Sequence, residues 1–278
     1  MGGIIWLASY PKSGNTWMRS FLHNLLRNNY EPADINELDH FCLGESAASW
    51  YGRYLTNPVE ETEHAKLAQL RPRVQRDFTG VFPDSVFVKT HNFLGEWHGV
   101  PLHNMDVTVG GIYVLRNPLD VVLSMTHHFG EDIDGAIRRL ANDGALTAAG
   151  RDHVPEFHSS WSRHVESWTG RPNPQLHVVR YEDLTAKPQK HFKAIANFLG
   201  LKVKKERLDR AIRNSSFKAL KAQEEKKGFK ERSEFSNSFF REGKTEQWRE
   251  KLTDTQIRQI ISDHRTQMER FNYIPDGY

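Results

Sequence analysis

The sequence predicts an α/β fold: a single domain over residues 1–278, with a central parallel β-sheet flanked by helices and a P-loop-like, anion-binding loop after the first strand. Three observations predict it. Short β-branched or aromatic runs recur at residues 4–8, 86–88, 111–115 and 177–179, each followed within a few residues by a helical pattern. That alternation builds parallel sheets covered by helices. The first run passes directly into a small-residue loop that opens a helix. No internal repeat, low-complexity tract or Gly/Ser/Pro linker divides the 278 residues, so one domain is expected.

The elements follow in chain order. Within 16–29 the apolar residues Trp17, Phe21, Leu22, Leu25 and Leu26 fall at helical spacing, and Asn28 with Asn29 stops the helix. Asn117 and Pro118 are an N-cap and first-position pair opening a helix to about residue 128. Residues 188–199 and 253–271 read as two further amphipathic helices. The stretches 30–60, 92–108, 130–158 and 222–247 read as irregular.

Composition narrows the class. With 38 Lys and Arg against 35 Asp and Glu, and 38% hydrophobic residues, the chain is an ordinary globular protein, neither disordered nor collagen-like. Cys42 stands alone, which allows no intramolecular disulfide and no Cys-based zinc site and points to a reducing compartment. The apolar run before Ser9 has no basic residues ahead of it, no stretch approaches the ~20 apolar residues of a membrane helix, and Trp6 breaks the myristoylation pattern. A cytoplasmic protein without a membrane span is the expectation. Residues 202–232 hold twelve Lys and Arg against five Asp and Glu. A polyanion-binding surface is one reading of that segment, but its scattered acids and helical pattern favour a solvated face, and no nucleic-acid partner is expected.

The sharpest local signal is Ser9-Tyr10-Pro11-Lys12-Ser13-Gly14-Asn15-Thr16-Trp17, a loop from strand to helix. Its backbone N–H groups, the positive end of the helix dipole, the Lys12 ammonium and the Ser13 and Thr16 hydroxyls suit one phosphate-like anion. The order is not that of a Walker A loop, because Lys12 precedes Ser13 and Gly14 rather than following the last glycine. Five later landmarks accompany the loop: Lys89-Thr90-His91 after a strand; Arg116-Asn117-Pro118 with Asp120 and Ser124; Tyr181-Glu182-Asp183-Leu184; Ser215-Ser216-Phe217; and Phe240-Arg241-Glu242-Gly243 with Trp248.

In this order and spacing the six segments resemble those of the cytosolic sulfotransferase family, whose loop is usually written YPKSGTTW; here Asn15 replaces one Thr. The resemblance spans about residue 4 to residue 250. It implies transfer of a sulfuryl group from 3′-phosphoadenosine 5′-phosphosulfate (PAPS) to a hydroxyl, or as a second choice an amine, of a small-molecule acceptor, with adenosine 3′,5′-bisphosphate (PAP) as product and no metal required. It also implies His91 as general base, with Lys12 and Lys89 stabilising the leaving oxygen. Lys12, Ser13, Gly14, Asn15, Thr16 and Trp17 would hold the 5′-phosphosulfate and adenine; Arg116 and Ser124 the 3′-phosphate. Tyr181, Ser215, Phe217, Phe240, Arg241, Glu242 and Gly243 would complete the nucleotide site. Two departures stand out: Glu242 where many members carry Lys, and Glu246 in place of the second Gly of the last motif.

The chemistry suits these residue types. An alcohol needs its proton removed, and histidine titrates near working pH. Charge growing on the leaving oxygen needs positioned cations. Arginine's fork suits a terminal phosphate. Each residue also has a plain structural reading. Lys89 and Arg116 could be solvated charges, His91 a structural histidine, Ser124 a donor to a helix carbonyl, and Trp17 and Tyr181 packing residues. His127 and His128 lie near Glu131 and Asp132 without further ligand spacing, so no metal is expected. Phe41, Trp50, Tyr54, Phe93, Trp97, Phe129, Phe157 and Trp161 are candidate walls for an acceptor with an apolar or aromatic body. A P-loop kinase and a non-catalytic polyanion-binding module are the alternatives. The first lacks the Walker A order, and the second needs no base at His91.

Overall fold

The computed structural model describes residues 2–278. Five parallel strands, β1 (Ile4–Ser9), β2 (Cys42–Gly44), β3 (Val86–Thr90), β4 (Thr108–Leu115) and β5 (Leu176–Arg180), form one sheet in the order β2-β3-β1-β4-β5. Their side chains alternate between two cores, as a sheet buried on both faces requires. Ile4, Trp6, Ala8, Val86, Val88, Tyr113 and Leu115 pack on one side, and Leu7, Phe87, Ile112, Val114 and Val179 on the other.

Helices cover both faces. On the second side lie α1 (Asn15–Arg27), through Met18, Phe21, Leu22 and Leu25, together with two helices defined below. On the first side lie α2 (His64–Phe78), α3 (Pro118–Phe129), α4 (Ile133–Ala141) and α5 (Trp161–Thr169). A single turn and a half, α6 (Tyr181–Ala186), leads into α7 (Pro188–Phe198) and α8 (Lys205–Asn214), the remaining cover of the second side. The chain ends through α9 (Phe217–Lys227) and α10 (Asp254–Arg270). The predicted cap at Asn117 is present, its side chain accepting from Leu119 N–H, and Thr253 with Gln256 adds a capping box at α10.

The stretches read as irregular hold more order than their sequence signalled. Strand β2 lies within 30–60 and pairs from Cys42 with Phe87 to Gly44 with Lys89. Three residues are too few to display a period. In 130–158 the chain forms α4 and both strands of a small antiparallel ribbon, Leu146 with Phe157 and Thr147 with Glu156. Helix α2 was also invisible in sequence, because Pro72 interrupts it and part of its buried face is polar. There Arg71 is bound to Glu45, whose carboxylate also accepts from Asn92 and Gln75.

The basic 202–232 segment is spent locally. Arg207 donates to the carbonyls of Leu25 and Leu26, capping the C-terminus of α1, and Arg210 reaches Asn28. Lys227 pairs with Asp34 and Lys230 with Asp39. Among the described residues no helix is long and apolar enough to cross a membrane.

Helix α1 carries the loop at its N-terminus, so its seating matters. Phe21 is fully buried and stacks on Phe192 of α7, ring centroids 3.9 Å apart. Phe21→Ala should cost about 3–5 kcal/mol, read as a lower urea midpoint at unchanged slope.

Candidate active site

Because β3, β1 and β4 run parallel and in register, Ala8 pairing with both Thr90 and Tyr113, their C-terminal ends stop side by side. Ligands bind outside such ends in α/β sheets. A cavity of about 610 Å³ opens there. Its wall takes Lys12, Gly14, Asn15, Thr16 and Trp17 after β1, Lys89 and His91 at the end of β3, Arg116 after β4 and Tyr181 after β5. Ser124 joins from α3, Phe217 from α9, and Phe240, Arg241, Glu242 and Gly243 from the late loop.

The loop after β1 is shaped for close approach. Lys12 has φ 65° and Gly14 φ 106°, both left-handed, and a Cβ on Gly14 would stand 2.7 Å from the Tyr181 ring. Gly14 caps α1 without a side-chain acceptor, so the first-turn amides keep their donors free for an anion. Asn15 latches the loop to its strand, donating to the carbonyl of Leu7 at 2.8 Å. Arg19, one turn on, donates to Thr16 Oγ1 and forms a two-pronged pair with Glu231 at 2.8 and 2.6 Å. Burial opposes the Glu231 charge, but the Arg19 guanidinium holds its carboxyl down at about 2.

Positive charge is concentrated and poorly solvated. Burial, then the charges of Arg116, Arg241 and Lys89, push the Lys12 ammonium down to about 8. Its Nζ rests 4.2 Å from the centre of the Phe239 ring. Arg116 donates to the carbonyls of Lys12 at 3.1 Å and Lys244 at 3.3 Å, lies over the Tyr181 ring at 4.4 Å, and keeps a buried Nε–H without a partner. Ser13 Oγ and Trp17 Nε1 are likewise buried and unpartnered. Four cations, free helix amides and orphaned donors around one cavity are what a polyanionic nucleotide requires.

The ring of His91 has a defined tautomer. Its Nδ1 lies 2.8 Å from the carbonyl oxygen of Ser9, an acceptor only, so Nδ1 carries the proton and Nε2 keeps a lone pair. Burial first, then Lys89, lowers the imidazole to about 3, keeping it neutral. The backbone of this segment is held by α5. His164 Nε2 donates to the His91 carbonyl at 3.2 Å, Trp168 Nε1 to that of Asn92 at 3.1 Å, and Ser167 Oγ accepts from Leu94 N–H at 2.9 Å. Tyr113 O–H closes the chain on His164 Nδ1 at 2.8 Å. Trp161 Nε1 donates to the carbonyl of Arg116, so one helix fixes both the histidine and the arginine segments.

Three parts of the sequence expectation change. Ser13 is fully buried beneath the loop, and Ser215 donates back to Ala211 and Ile212, as the last turn of a helix invites. Ser216, the N-cap of α9, takes its place in the cavity wall. Of the eight aromatic wall candidates only Phe129 lines the cavity. Phe41 stacks on His23, Trp50 meets Phe78 edge to face and Trp97 packs tilted against Phe157, while Trp161 is core. Sequence reasoning passed over Ser46, Thr147, His153, Glu156, His158, Glu231 and Phe239 in the wall; only His128 carried a signal, in the His127-His128 doublet. Among the described residues no group of His, Cys, Asp and Glu has metal-site geometry.

The family described as Sulfotransferase domain matches residues 4–272. Cytosolic sulfotransferase 14 of Arabidopsis thaliana is 25% identical over 264 residues, 91% of this chain and 72% of that protein. The crystal structure of mouse sulfotransferase SULT7A1 complexed with PAP superposes with a TM-score of 0.63 at 21% identity, covering 97% of this chain and 85% of that one. Retinol dehydratase in complex with androsterone and inactive cofactor PAP superposes with a TM-score of 0.65 at 19% identity, over 99% and 83%. At those identities the structural likeness is one of fold.

The late loop explains one departure. Glu246 adopts φ 61°, a conformation natural to glycine, while its N–H donates to Asp120 at 2.7 Å. Its carboxylate meets Arg249 at the surface. Glu246→Gly should therefore raise stability by up to about 1 kcal/mol, since the left-handed strain outweighs an exposed ion pair. Chemical denaturation of the two proteins checks this, and a loss of stability would refute the strain.

Proposed function

The chain belongs to the sulfotransferase family, its Sulfotransferase domain match running from residue 4 to residue 272, and we propose that it moves a sulfuryl group from PAPS to a hydroxyl of a small-molecule acceptor, with His91 as general base. Membership sets aside the kinase and the polyanion-binding module. The observation that carries the detailed reading is His91 Nε2, an available lone pair on a residue that lines the same cavity as Lys12, Lys89 and Arg116.

The assignment of parts is the one the family resemblance implies, and the cavity lining supports it. The 5′-phosphosulfate lies against the loop amides and Lys12. Arg116 and Ser124 take the 3′-phosphate. Trp17, Tyr181, Phe217 and Phe240 supply aromatic faces and edges for the adenine. Ser216 replaces Ser215 in this set, while Arg241 and the Gly243 backbone close the late loop over the nucleotide.

In the transfer the acceptor O–H proton passes to His91 Nε2 as its oxygen bonds to sulfur. The bond from sulfur to the bridging phosphate oxygen breaks, and its electron pair stays on that oxygen. Lys12 and Lys89 stabilise the charge growing there. The low His91 pKa belongs to the nucleotide-free protein; the arriving anion raises it toward that of a working base. The relatives' name supports a cytosolic setting, and no lysine or arginine role here calls for a metal.

Two measurements test the reading. Adenosine 3′,5′-bisphosphate at 100 times its Kd should stabilise the protein by about 2.7 kcal/mol, raising Tm by roughly 5–10 °C. AMP, ADP, and ATP with Mg²⁺ should do much less. Free Lys12 loses its proton as pH passes about 8, whereas the bound anion retains it. Affinity should be flat below that pH and fall toward tenfold per pH unit above it, with proton uptake visible calorimetrically. Equal shifts with AMP would end the 3′-phosphate assignment.

His91→Ala should lose about 10²- to 10⁴-fold in turnover while binding the bisphosphate as before. Undiminished turnover would remove His91 as base. His91→Gln, which retains a polar side chain but no basic nitrogen, should be equally slow.

A further inference from the structure

Resting on the sulfotransferase reading, we infer that the acceptor is a cationic amino alcohol or aminophenol, its ammonium group held by Glu156 while its hydroxyl faces His91. The acceptor end of the cavity is polar. Ser46, His128, Thr147, His153, Glu156 and His158 line it, with Phe129 as the one aromatic ring outside the nucleotide end. Glu156 is the group of interest, because its side chain is only 12% exposed and yet lines the cavity.

The main chain fixes Glu156 beside the base. Residues 92 and 93, immediately after His91, bond to residue 157: Phe93 N–H donates to the carbonyl of Phe157 at 2.8 Å, and Asn92 Oδ1 accepts from Phe157 N–H at 2.6 Å. One oxygen of the carboxylate is occupied, Oε1 accepting from Ser46 Oγ at 2.8 Å. The other, Oε2, accepts no hydrogen bond within 3.5 Å; His158 Nε2 stands 3.9 Å from it as an ion-pair neighbour. Burial would favour the neutral acid, but His158 and the Lys89 ammonium hold the carboxyl well below the usual range, so it stays charged.

The charge balance then points to a cation. His91 and His128 are both neutral, each pushed to about 3 by burial. Lys89, the one fixed positive charge reaching this end, is engaged by the sulfuryl and bridging oxygens once the donor is bound. A nearly buried carboxylate with one unfilled oxygen is then left facing the acceptor. His158, at 3.9 Å, leaves that oxygen without a hydrogen bond, and an ammonium group supplies one. A neutral apolar acceptor would desolvate that carboxylate and return nothing.

The test uses the whole protein saturated with adenosine 3′,5′-bisphosphate. Calorimetric titration compares tyramine with N-acetyltyramine, and aminohexanol with its N-acetyl derivative. The amine should bind at least about 10-fold more tightly than its neutral partner. In Glu156→Gln that preference should be lost, a fall of about 10-fold or more in the amine's affinity relative to its neutral partner, as expected when one partner of a desolvated charge pair is removed. Bisphosphate affinity and Tm report whether the variant is folded. If it is not, the preference within each pair in the unaltered protein still decides. Equal binding of both partners, a preference for the neutral one, or no binding of either overturns the inference. Failure to bind the bisphosphate at all would instead remove the sulfotransferase reading, and this inference with it.

Discussion

The site depends on one constraint, that three parallel strands end in register. Parallel pairing places equivalent residues of β3, β1 and β4 side by side, so the chain leaves the sheet three times within a small area. Each exit carries a group the proposed chemistry uses: Lys12 after β1, Lys89 and His91 at β3, Arg116 after β4. A one-residue slip in any strand would turn its alternating side chains to the wrong core. The two-sided burial that fixes the sheet therefore also fixes the distances in the cavity. The hydrogen bond from His91 to the Ser9 carbonyl is the local expression of that register, since it joins the ends of two neighbouring strands.

Holding so many cations together in a buried space is unfavourable, and the structure distributes the compensation. At the loop, burial and the neighbouring cations outweigh the compensation from Glu231, and Lys12 is pushed down to about 8. Compensation comes from one layer behind. Glu231 pairs with Arg19 beneath the loop, Asp120 accepts from the amides of Glu246 and Trp248, and Glu224 accepts from those of Phe239 and Phe240. These carboxylates hold backbone and guanidinium groups, leaving the cavity cations uncommitted for an incoming anion. The arrangement keeps the protein ready to bind at the expense of unsatisfied donors at Arg116 and Trp17.

Much of this was legible in the sequence, and the boundary has a physical origin. The long strands and helices, the loop and the five later landmarks are local patterns, and local spacing reports them. Nothing in the sequence showed that Trp161, His164 and Trp168 brace the site's backbone, although they lie on one face of α5 at helical spacing. Their ring N–H groups act on carbonyls far along the chain, and a side chain's partner across the fold leaves no periodic trace. Trp161 was expected as a pocket wall because large aromatic residues do both jobs. Ser215 failed for the opposite reason. Two adjacent serines differ only in where a helix ends, and boundaries are the least regular part of a local pattern.

The acceptor end was the least legible, and its make-up follows from how it is built. The nucleotide end rests on the ends of long strands and on helix starts, elements whose sequence signals are strong. The acceptor end rests on Ser46, Thr147 and Glu156, each on or beside two- or three-residue strands that exist only because distant segments pair. Segments of that kind can change their side chains without disturbing the core, whereas Lys12 or Arg116 cannot move without the sheet. One frame can thus hold a fixed donor chemistry while the small ribbon around residues 146–157 sets the acceptor's charge and polarity. In this chain the ribbon and its flanks present a carboxylate and histidines to the cavity rather than the expected aromatic wall, so the inferred acceptor would be selected by charge before shape.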